Sequence, residues 1–385
     1  MLDAAFVFVV CGTKEHIDTL RFSHAALKAR TQLPIYIITD PNRNEEPIDL
    51  ENCIDVEVES KYDNHQASIF LKTSLHRYLP VHEKYCYLDT DVIACGAHPD
   101  EIFNEYIAPI RFALDHCTIQ KFSPTAIHCN CSKNKTKEQF VWHEFMKEIK
   151  VYEPYHKKLN AAIDFEKRSI SRRLLLGMKY FSSYPKFRLN EEFLLDKPKK
   201  EWYHKDIGDL KTNVRKFRGK DGIEIYYNKK RNKWTNQFGQ DIWDDSCRCL
   251  ENQIRADLNI NVANENWHHW NGGVFLFSQN SASFLENWHN LTLYIFTLPN
   301  WKTRDQGSLI ATVWKHELQD RIPLDTKWNF LADANNEAVV FNEDGIGSID
   351  GGRHTFKTEF AHIYHRFGDA TWSIWQNVDK LLNNG

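Results

Sequence analysis

The sequence predicts an α/β protein with a mixed, mainly parallel central sheet and a large insertion. Three features of the chain predict this fold. Apolar, β-rich runs alternate with helical patterns over residues 4–95, and a second α/β stretch covers residues 266–385. Between the two halves, residues 118–265 are richer in Lys, Arg, Tyr and Trp and less periodic. Alternating strands and helices are typical of parallel sheets, because a helical crossover returns the chain to the same end of the sheet.

The first half begins with AAFVFVVC at residues 4–11, the pattern of a strand covered on both faces. Residues 15–30 space apolar side chains at helical intervals, and Pro34 precedes a second strand. The predicted elements of this half are strands at 4–11, 35–39, 55–59 and 85–88 and helices at 15–30 and 67–78. Residues 1–117 are therefore predicted to form a nucleotide-binding half.

The rest of the chain is predicted to complete one catalytic domain, residues 1–385. In the insertion we predict helices at 138–152 and 167–180 and a hairpin of residues 223–227 and 233–234. Residues 266–385 are predicted to contribute a strand from Asn271, helices at 281–291, 303–316 and 373–382, and strands at 338–341 and 360–364.

Composition excludes several classes of protein. The net charge of −3 argues against binding to nucleic acid through bulk positive charge. Nine cysteines without a spaced framework favour reduced thiols, and the first apolar run lacks the basic leader of an export signal. No apolar run approaches the roughly 20 residues that cross a bilayer. We therefore expect a cytoplasmic protein without a transmembrane segment. The lysines of the insertion are interpreted as a solvated face, with peripheral contact to an anionic membrane as the alternative.

The most informative segment is YCYLDTDVI, in which a buried strand leads directly into Asp89, Thr90 and Asp91. Two carboxylates at the carboxyl end of a sheet strand lie where α/β sheets bind ligands. Such a pair needs a cation, and its oxygen ligands suit Mn²⁺ or Mg²⁺ that also binds a diphosphate. An Asp-x-Asp triplet also occurs in solvated turns, so its position after the strand is what favours function.

Five segments of the chain, in this order, resemble glycosyltransferase family 8, which includes glycogenin and lipopolysaccharide galactosyltransferases. They are AFVFVVCGT with PIYIIT, KTSLHRYLPVHEKYCYLDTDVI, NGGVFLFS, TRDQGSLI and HRFGDATW. The resemblance implies the GT-A fold, a Rossmann-like fold of nucleotide-diphospho-sugar transferases. It also implies transfer of a hexose from a UDP-sugar with retention of configuration, to a glycan, glycolipid or protein acceptor.

The resemblance further implies the site residues. Asp89, Asp91 and His365 are the implied ligands of Mn²⁺. The residues implied to border the nucleotide sugar are Cys11, Gly12, Thr13, Lys72, Thr90, Asn271, Gly273 and Gly368. Asp305 and Gln306 are implied to lie beside the anomeric carbon and the acceptor. The family usually carries Lys before its final Pro-Trp, whereas this chain has Thr371-Trp372, so we assign the diphosphate contact to Arg366.

Each assignment has a structural alternative. Asp305 could cap a helix, Asn271 could shape a strand entrance, and Lys72 could be solvated. His362 or His365 could be a hydrogen-bonded core histidine. For the whole chain, the alternatives are a sugar nucleotidyltransferase, disfavoured by the short CGTKEH turn, and a non-catalytic sugar-binding relative.

Cys129, Cys131, Cys247 and Cys249 form two C-x-C pairs that could hold a structural zinc. The spacing lacks the usual two-residue gap, so ordinary core cysteines are the favoured interpretation.

Overall fold

The computed structural model describes residues 3–129, 131–244, 246–263, 266–302, 304–333, 339–342, 345–348 and 358–364. The chain divides into two units. The first contains Met1–His128 and Ser246–Gly385, and the second contains Cys129–Asp245.

The described elements of the first unit follow the alternation that the sequence predicts. In chain order they begin with β1 (Ala4–Val10), α1 (Lys14–Lys28), β2 (Ile35–Thr39), β3 (Cys53–Asp55), α2 (Asn64–Ser74), β4 (Lys84–Leu88), β5 (Val92–Ala94), β6 (Ile110–Thr118) and α3 (Ile119–Ala126). After the second unit come α4 (Cys249–Leu258), β7 (His268–Phe277), α5 (Ala282–Phe296), α6 (Arg304–Lys315), β8 (Phe330–Asp333), β9 (Val339–Asn342), β10 (Gly345–Ser348) and β11 (Phe360–Tyr364).

The main sheet of the first unit has six strands among the described residues, in the order β3-β2-β1-β4-β7-β6. The strands β3, β2, β1 and β4 are parallel, whereas β7 runs antiparallel to both β4 and β6. Every residue of β1 is buried, as expected for a strand that helices cover on both faces. The predicted α/β fold with a mixed, mainly parallel sheet is therefore confirmed.

The pairing of β6 with β7 is irregular where it approaches the end of β4. Asn271 lies opposite Ala113, but Phe275 lies opposite Phe112, so residues 272–274 are extra on β7. A bulge of this kind bends its strand and redirects the side chains around it. Val274 pairs with Leu88, the last residue of β4, so the bulge lies directly beside the start of the Asp89–Asp91 turn.

A second, three-stranded sheet brings the last described strand to the same place. Its order is β8-β11-β5, with β11 parallel to β8 and antiparallel to β5. His362 lies opposite Val92, the residue after Asp91. The register of β11 thus sets a histidine beside the second carboxylate.

Some predicted boundaries differ from the structure. The strand predicted at 55–59 is wrong, because β3 covers Cys53–Asp55 and the chain then leaves the ladder. The amide of Val58 donates to the Asp40 carboxylate at 3.0 Å rather than to a neighbouring strand. Helix α2 begins at Asn64, earlier than predicted, because Asp63 and Gln66 form a capping box. The predicted helix at 373–382 lies outside the described residues.

The second unit combines helices with two small antiparallel sheets. Its helices are Cys131–Lys150, Glu153–Lys167 and Ile170–Phe181. The strands are Lys186–Arg188, Phe193–Asp196, Glu201–His204 and Gly208–Asp209 in one sheet, and Lys216–Arg218, Glu224–Asn228 and Lys233–Thr235 in the other. The last two strands confirm the predicted hairpin. One core cluster packs Leu159, from a helix that the sequence did not predict, against Phe187, Phe193 and Leu195. Throughout the described part of the chain, every helix is too short or too polar to cross a membrane.

Candidate active site

Asp89 and Asp91 lie in a turn between β4 and β5 that backbone hydrogen bonds hold from two sides. The Asp89 amide donates to the Gly273 carbonyl of β7 at 2.8 Å. The Ile363 amide of β11 donates to the Asp91 carbonyl at 2.9 Å. Between them, the Thr90 carbonyl accepts a hydrogen bond from the Ser23 hydroxyl of α1. The turn is therefore fixed to three neighbouring elements, and both carboxylates project from a rigid support.

His362 completes a cluster of three potential metal ligands. Its Nε2 lies 3.1 Å from Asp91 Oδ1. The ligand atoms of Asp89, Asp91 and His362 all lie within 4.8 Å of one another. Burial lowers the pKa of His362, but the neighbouring Asp91 charge outweighs burial and holds that pKa above its usual value. The histidine is thus poised as a charged or metal-bound partner of the carboxylates.

Gly273 makes the approach of His362 possible. A Cβ added at Gly273 would lie 2.2 Å from His362 Cε1 and 2.5 Å from its Nδ1. These distances are far shorter than van der Waals contact, and the imidazole is itself buried. Any side chain at position 273 would therefore displace the histidine from Asp91.

Lys72 supplies the buried positive charge of the site. Its Nζ lies 3.0 Å from Asp89 Oδ1 and 3.5 Å from Asp305 Oδ2. Burial lowers the pKa of Lys72, but Asp89 and then Asp305 outweigh it and raise the pKa above its usual value. The Tyr87 hydroxyl also donates to Asp89 Oδ1, at 2.5 Å. Lys72 is therefore a charged bridge between two carboxylates that lie 17 and 233 positions from it in the sequence, not a solvated helix residue.

Asp305 and Gln306 lie in the first turn of α6 and have different environments. The Asp305 carboxylate faces Lys72, while the backbone carbonyl of Asp305 accepts from Trp288 Nε1 at 3.1 Å. The Gln306 amide instead holds the β7 bulge. Its Nε2 lies 2.9 Å from His269 Nδ1 and donates to the Trp270 carbonyl, and its Oε1 accepts from the Gly272 amide at 3.4 Å. Asp305 is available for a ligand, whereas Gln306 shapes the strand.

A buried polar network on β6 and β7 adds residues that the sequence analysis missed. Asn271 Nδ2 donates to Asp115 Oδ2 at 3.0 Å, and Asn271 Oδ1 accepts from the Gly273 amide at 2.8 Å. His116 Nδ1 lies 3.2 Å from Asp115 Oδ1, and Cys117 Sγ lies 3.4 Å from it. Burial raises the pKa of Asp115, but His269 and Asn271 outweigh burial and lower it. Asp115 is thus held as a carboxylate beside the bulge.

Two cavities meet at the charged residues. One, of about 460 Å³, lies on the β6–β7 side and includes Asp115, His116 and Gln306 in its lining. The other, of about 620 Å³, lies on the β1–α1 side and includes Val9, His16 and Thr19. Lys72, Asp89 and Asp305 line both cavities. Cavities of this size hold small-molecule ligands, and their shared wall is where two bound molecules would meet.

The β1–α1 turn is tied to the protein's own side chains. The Gly12 amide donates to Asn44 Oδ1 at 3.1 Å, and Gly12 adopts φ +125, which favours glycine. The Lys14 amide donates to Glu45 Oε2 at 2.8 Å, and Thr13 is the residue before α1. Burial raises the pKa of the Cys11 thiol to about 11, so the thiol stays protonated. The Gly12 and Lys14 amides of this turn therefore already have acceptors.

The other predicted residues belong to the C-terminal segment from His365 and to the two cysteine pairs. His365, Arg366, Gly368 and Thr371-Trp372 lie outside the described residues. Cys129 and Cys131 begin the second unit, and Cys247 and Cys249 lie where the chain re-enters the first. For these two pairs the sequence-based interpretation stays that of ordinary core cysteines, with a structural zinc as the alternative.

The chain was compared with protein-family models, with curated proteins and with solved structures. No protein-family model matches the chain, and no curated protein matches it either. The galactosyltransferase LgtC, solved with donor and acceptor sugar analogues, matches with a TM-score of 0.44 and 9% identity over 99% of this chain and 95% of that one. The bifunctional glycosyltransferase WbbM matches at 0.40 and 10% identity, over 100% of this chain and 50% of that one. Mouse xyloside xylosyltransferase 1 matches at 0.38 and 11% identity, over 96% of this chain and 99% of that one.

Proposed function

We propose that the chain is a metal-dependent glycosyltransferase that moves a hexose from a UDP-sugar to a hydroxyl group of a glycan, glycolipid or protein. The observation that carries this proposal is the pair Asp89 and Asp91 at the carboxyl end of β4, with a histidine in reach and a cavity on each side. Ligands bind at this end of parallel strands in open α/β sheets.

The side chains present fit a divalent cation. Two carboxylates and an imidazole whose ligand atoms lie within 4.8 Å of one another form a donor set suited to Mn²⁺. When bound there, the cation would offset the charge of the nucleoside diphosphate that leaves. Asp89 and Asp91 are the proposed ligands from the β4–β5 turn.

The third ligand is proposed to come from the end of β11. His362 is the described histidine beside Asp91, and His365, implied by the resemblance, follows it by three positions. The variants His362→Ala and His365→Ala distinguish the two candidate histidines. The variant that removes the metal ligand should lose more Mn²⁺ affinity than the other. Calorimetric titration of each variant with Mn²⁺ measures this.

The two cavities are proposed to divide the substrates between them. The β1–α1 cavity, which His16 and Thr19 line, would take the nucleoside. The β6–β7 cavity, which Asp115 and His116 line, would take the sugar and the acceptor hydroxyl. The reacting carbon would then lie near the shared wall, where Asp305 and Lys72 carry opposite charges.

The protein's part in the reaction is mainly to position and to neutralise. The bond between the anomeric carbon and the diphosphate oxygen breaks, and the acceptor oxygen forms a new bond to that carbon on the same face. The acceptor proton passes to the departing diphosphate, so no protein base is required. Lys72 holds Asp305 and Asp89 in place, and the Asp305 carboxylate stabilises the oxocarbenium-like centre electrostatically.

The alternative of a sugar nucleotidyltransferase is disfavoured at the β1–α1 turn. Such an enzyme binds the phosphates of a nucleoside triphosphate with free amides of a longer, glycine-rich turn. Here the Gly12 amide donates to Asn44 and the Lys14 amide donates to the Glu45 carboxylate. An acidic side chain at this helix start argues against a phosphate in the same position.

A panel of nucleotide sugars tests the proposal. The purified chain is incubated with each donor and Mn²⁺, and release of nucleoside diphosphate is measured with and without a chelator. We expect slow release from one or a few UDP-sugars that the chelator abolishes. Release of pyrophosphate from a nucleoside triphosphate and a sugar phosphate would instead support a nucleotidyltransferase. No release from any donor by folded protein would support the non-catalytic alternative.

A further inference from the structure

Helix Ile170–Phe181 in the second unit exposes an apolar stripe. None of its twelve residues, all of them described, is buried. The exposed fractions are 79% for Ile170, 65% for Leu174, 71% for Met178 and 84% for Phe181. A soluble helix normally buries its large apolar side chains, so contiguous exposure of this kind marks a binding surface.

The exposed residues share one face of the helix. Positions 170, 174, 178 and 181 are separated by four, four and three residues, which is the spacing of one helical face. Leu176, near the middle of the helix, packs partly buried against the core cluster that contains Leu159 and Phe193. That contact holds the helix against its own unit and leaves the stripe facing outward.

The helix and the residues next to it in sequence carry charge of one sign. Residues 167–190 contain no Asp or Glu and include Lys167, Arg168, Arg172, Arg173, Lys179, Lys186 and Arg188. All seven are exposed. Among the described residues, the ion-pair partner of this group is Asp196, whose Oδ2 lies 3.9 Å from Lys186 Nζ. The segment therefore presents an excess of exposed positive charge together with an apolar stripe.

We propose that helix Ile170–Phe181 binds the surface of an anionic lipid bilayer, lying parallel to it with the apolar stripe among the acyl chains. An amphipathic helix with large apolar side chains on one face and Lys or Arg beside them is the arrangement that inserts at this depth. Anionic headgroups attract the flanking arginines and lysines. The twelve residues of the helix are too few to cross the bilayer, so the helix stays at the interface.

Two other occupants fit the segment less well. A second copy of this chain docked on the same stripe would bring two sets of seven like charges together, with no acid in residues 167–190 to offset them. A nucleic acid would satisfy the basic residues but not the aliphatic side chains of Leu174 and Met178. A bilayer satisfies both parts of the surface.

Vesicle sedimentation with the full chain tests this proposal without any sugar donor, so its outcome is independent of the proposed reaction. The vesicles are phosphatidylcholine alone and phosphatidylcholine mixed with phosphatidylglycerol. We expect binding to the mixed vesicles, weakened by salt, and little binding to phosphatidylcholine alone. Replacing three basic residues, Arg172→Gln with Arg173→Gln and Lys179→Gln, should lower the partition coefficient by about fivefold for each charge removed.

The apolar stripe has its own variant and a matched control. Leu174→Gln with Met178→Gln and Phe181→Gln should lower partitioning at least about tenfold while the thermal midpoint is retained. The control replaces Phe140 and Phe238, which are 58% and 77% exposed in the same unit but outside residues 167–190, with Gln. The control should bind vesicles like the unmodified chain.

Three outcomes would overturn the proposal. The first is equal partitioning of the stripe variant and the control. The second is equal binding to vesicles with and without phosphatidylglycerol. The third is a dimer, seen by analytical ultracentrifugation, that the stripe variant converts to monomer, because the stripe would then bind a second copy of the chain.

Discussion

The two units of this chain use charged residues in opposite ways. In the first unit, Lys72 is buried between Asp89 and Asp305 at the wall of two cavities. In the second unit, the basic residues of 167–190 are exposed around an apolar stripe. Burying a charge is costly unless it is paired, so a buried lysine paired with two partly buried carboxylates beside a cavity indicates a site for charged ligands. Exposed charges of one sign indicate attraction to a surface.

The largest expected effect is on the proposed reaction. Asp89→Asn removes the carboxylate closest to Lys72, and we expect a loss in kcat/KM of about a thousandfold, because transition-state charge would no longer be stabilised. The matched control is Asp49→Asn, an exposed aspartate of the same unit. Nearly full activity of Asp89→Asn, measured as nucleoside diphosphate release, would remove Asp89 from the mechanism.

The second prediction compares a buried lysine with an exposed one. Lys72→Met leaves two carboxylates without their counter-charge, and we expect the free energy of unfolding to fall by about 3 kcal/mol. The exposed pair Lys61 and Glu59, at 2.7 Å, provides the control. Lys61→Met should change stability by less than about 1 kcal/mol.

A double variant sharpens this comparison. Adding Asp89→Asn to Lys72→Met should recover part of the lost stability, because one unpaired charge is then removed. Strictly additive losses in urea unfolding would contradict a coupled buried pair.

The third prediction concerns pH. Burial, and then the Arg77 charge, lower the pKa of His289 to about 4, and Thr73 Oγ1 lies 2.8 Å from its Nδ1. In the unfolded chain His289 takes up a proton near pH 6.5, whereas in the folded chain it stays neutral until about pH 4. The contribution of His289 to the free energy of unfolding is therefore full above pH 6.5 and falls as the pH is lowered to about 4. We expect His289→Gln to reduce this pH-dependent loss by on the order of 2 kcal/mol. An unchanged slope of stability between those pH values would contradict this account.

The smallest effects come from the same substitution in each unit. Gly273→Ala would press on His362, and we expect Mn²⁺ affinity to fall by about tenfold, the range seen when residues that orient metal ligands are changed. Gly177→Ala lies in helix Ile170–Phe181, where a Cβ would meet nothing within 4 Å. It should stabilise that helix by up to about 1 kcal/mol. Unchanged Mn²⁺ affinity in Gly273→Ala, measured by calorimetric titration, would show that the β7 bulge is more adaptable than its contacts indicate.

Much of the first unit could be predicted from the sequence, because buried parallel strands are continuous apolar runs. AAFVFVVC and KYCYL are of this kind, and both form central strands. The 55–59 prediction failed because Val56 and Val58 alternate like a strand and are buried, while the Val58 amide bonds to a side chain. Helix Glu153–Lys167 was missed because Leu159 is its one buried residue, which leaves little apolar periodicity.

The candidate site could be predicted where a proposed ligand follows its strand directly, as Asp89 and Asp91 follow β4. Asp115 was missed because its proximity to Asn271 and His269 depends on the irregular register of β6 and β7, which sequence periodicity does not show. Its signal in the sequence is a lone carboxylate within the apolar run of RFALDHCT. The role of Gly273 likewise depends on a contact with His362, 89 positions away in the chain, that only the folded register creates.

Calorimetric titration of the chain with UDP, in the presence and absence of Mn²⁺, tests the central claim most directly. We predict that UDP binds with Mn²⁺, that binding weakens strongly without it, and that Asp89→Asn with Asp91→Asn abolishes the metal-dependent part. The variant's unfolding midpoint would show that it remains folded. Equal UDP affinity with and without Mn²⁺, or an unchanged metal effect in the double variant, would contradict a nucleotide-sugar site built on these two carboxylates.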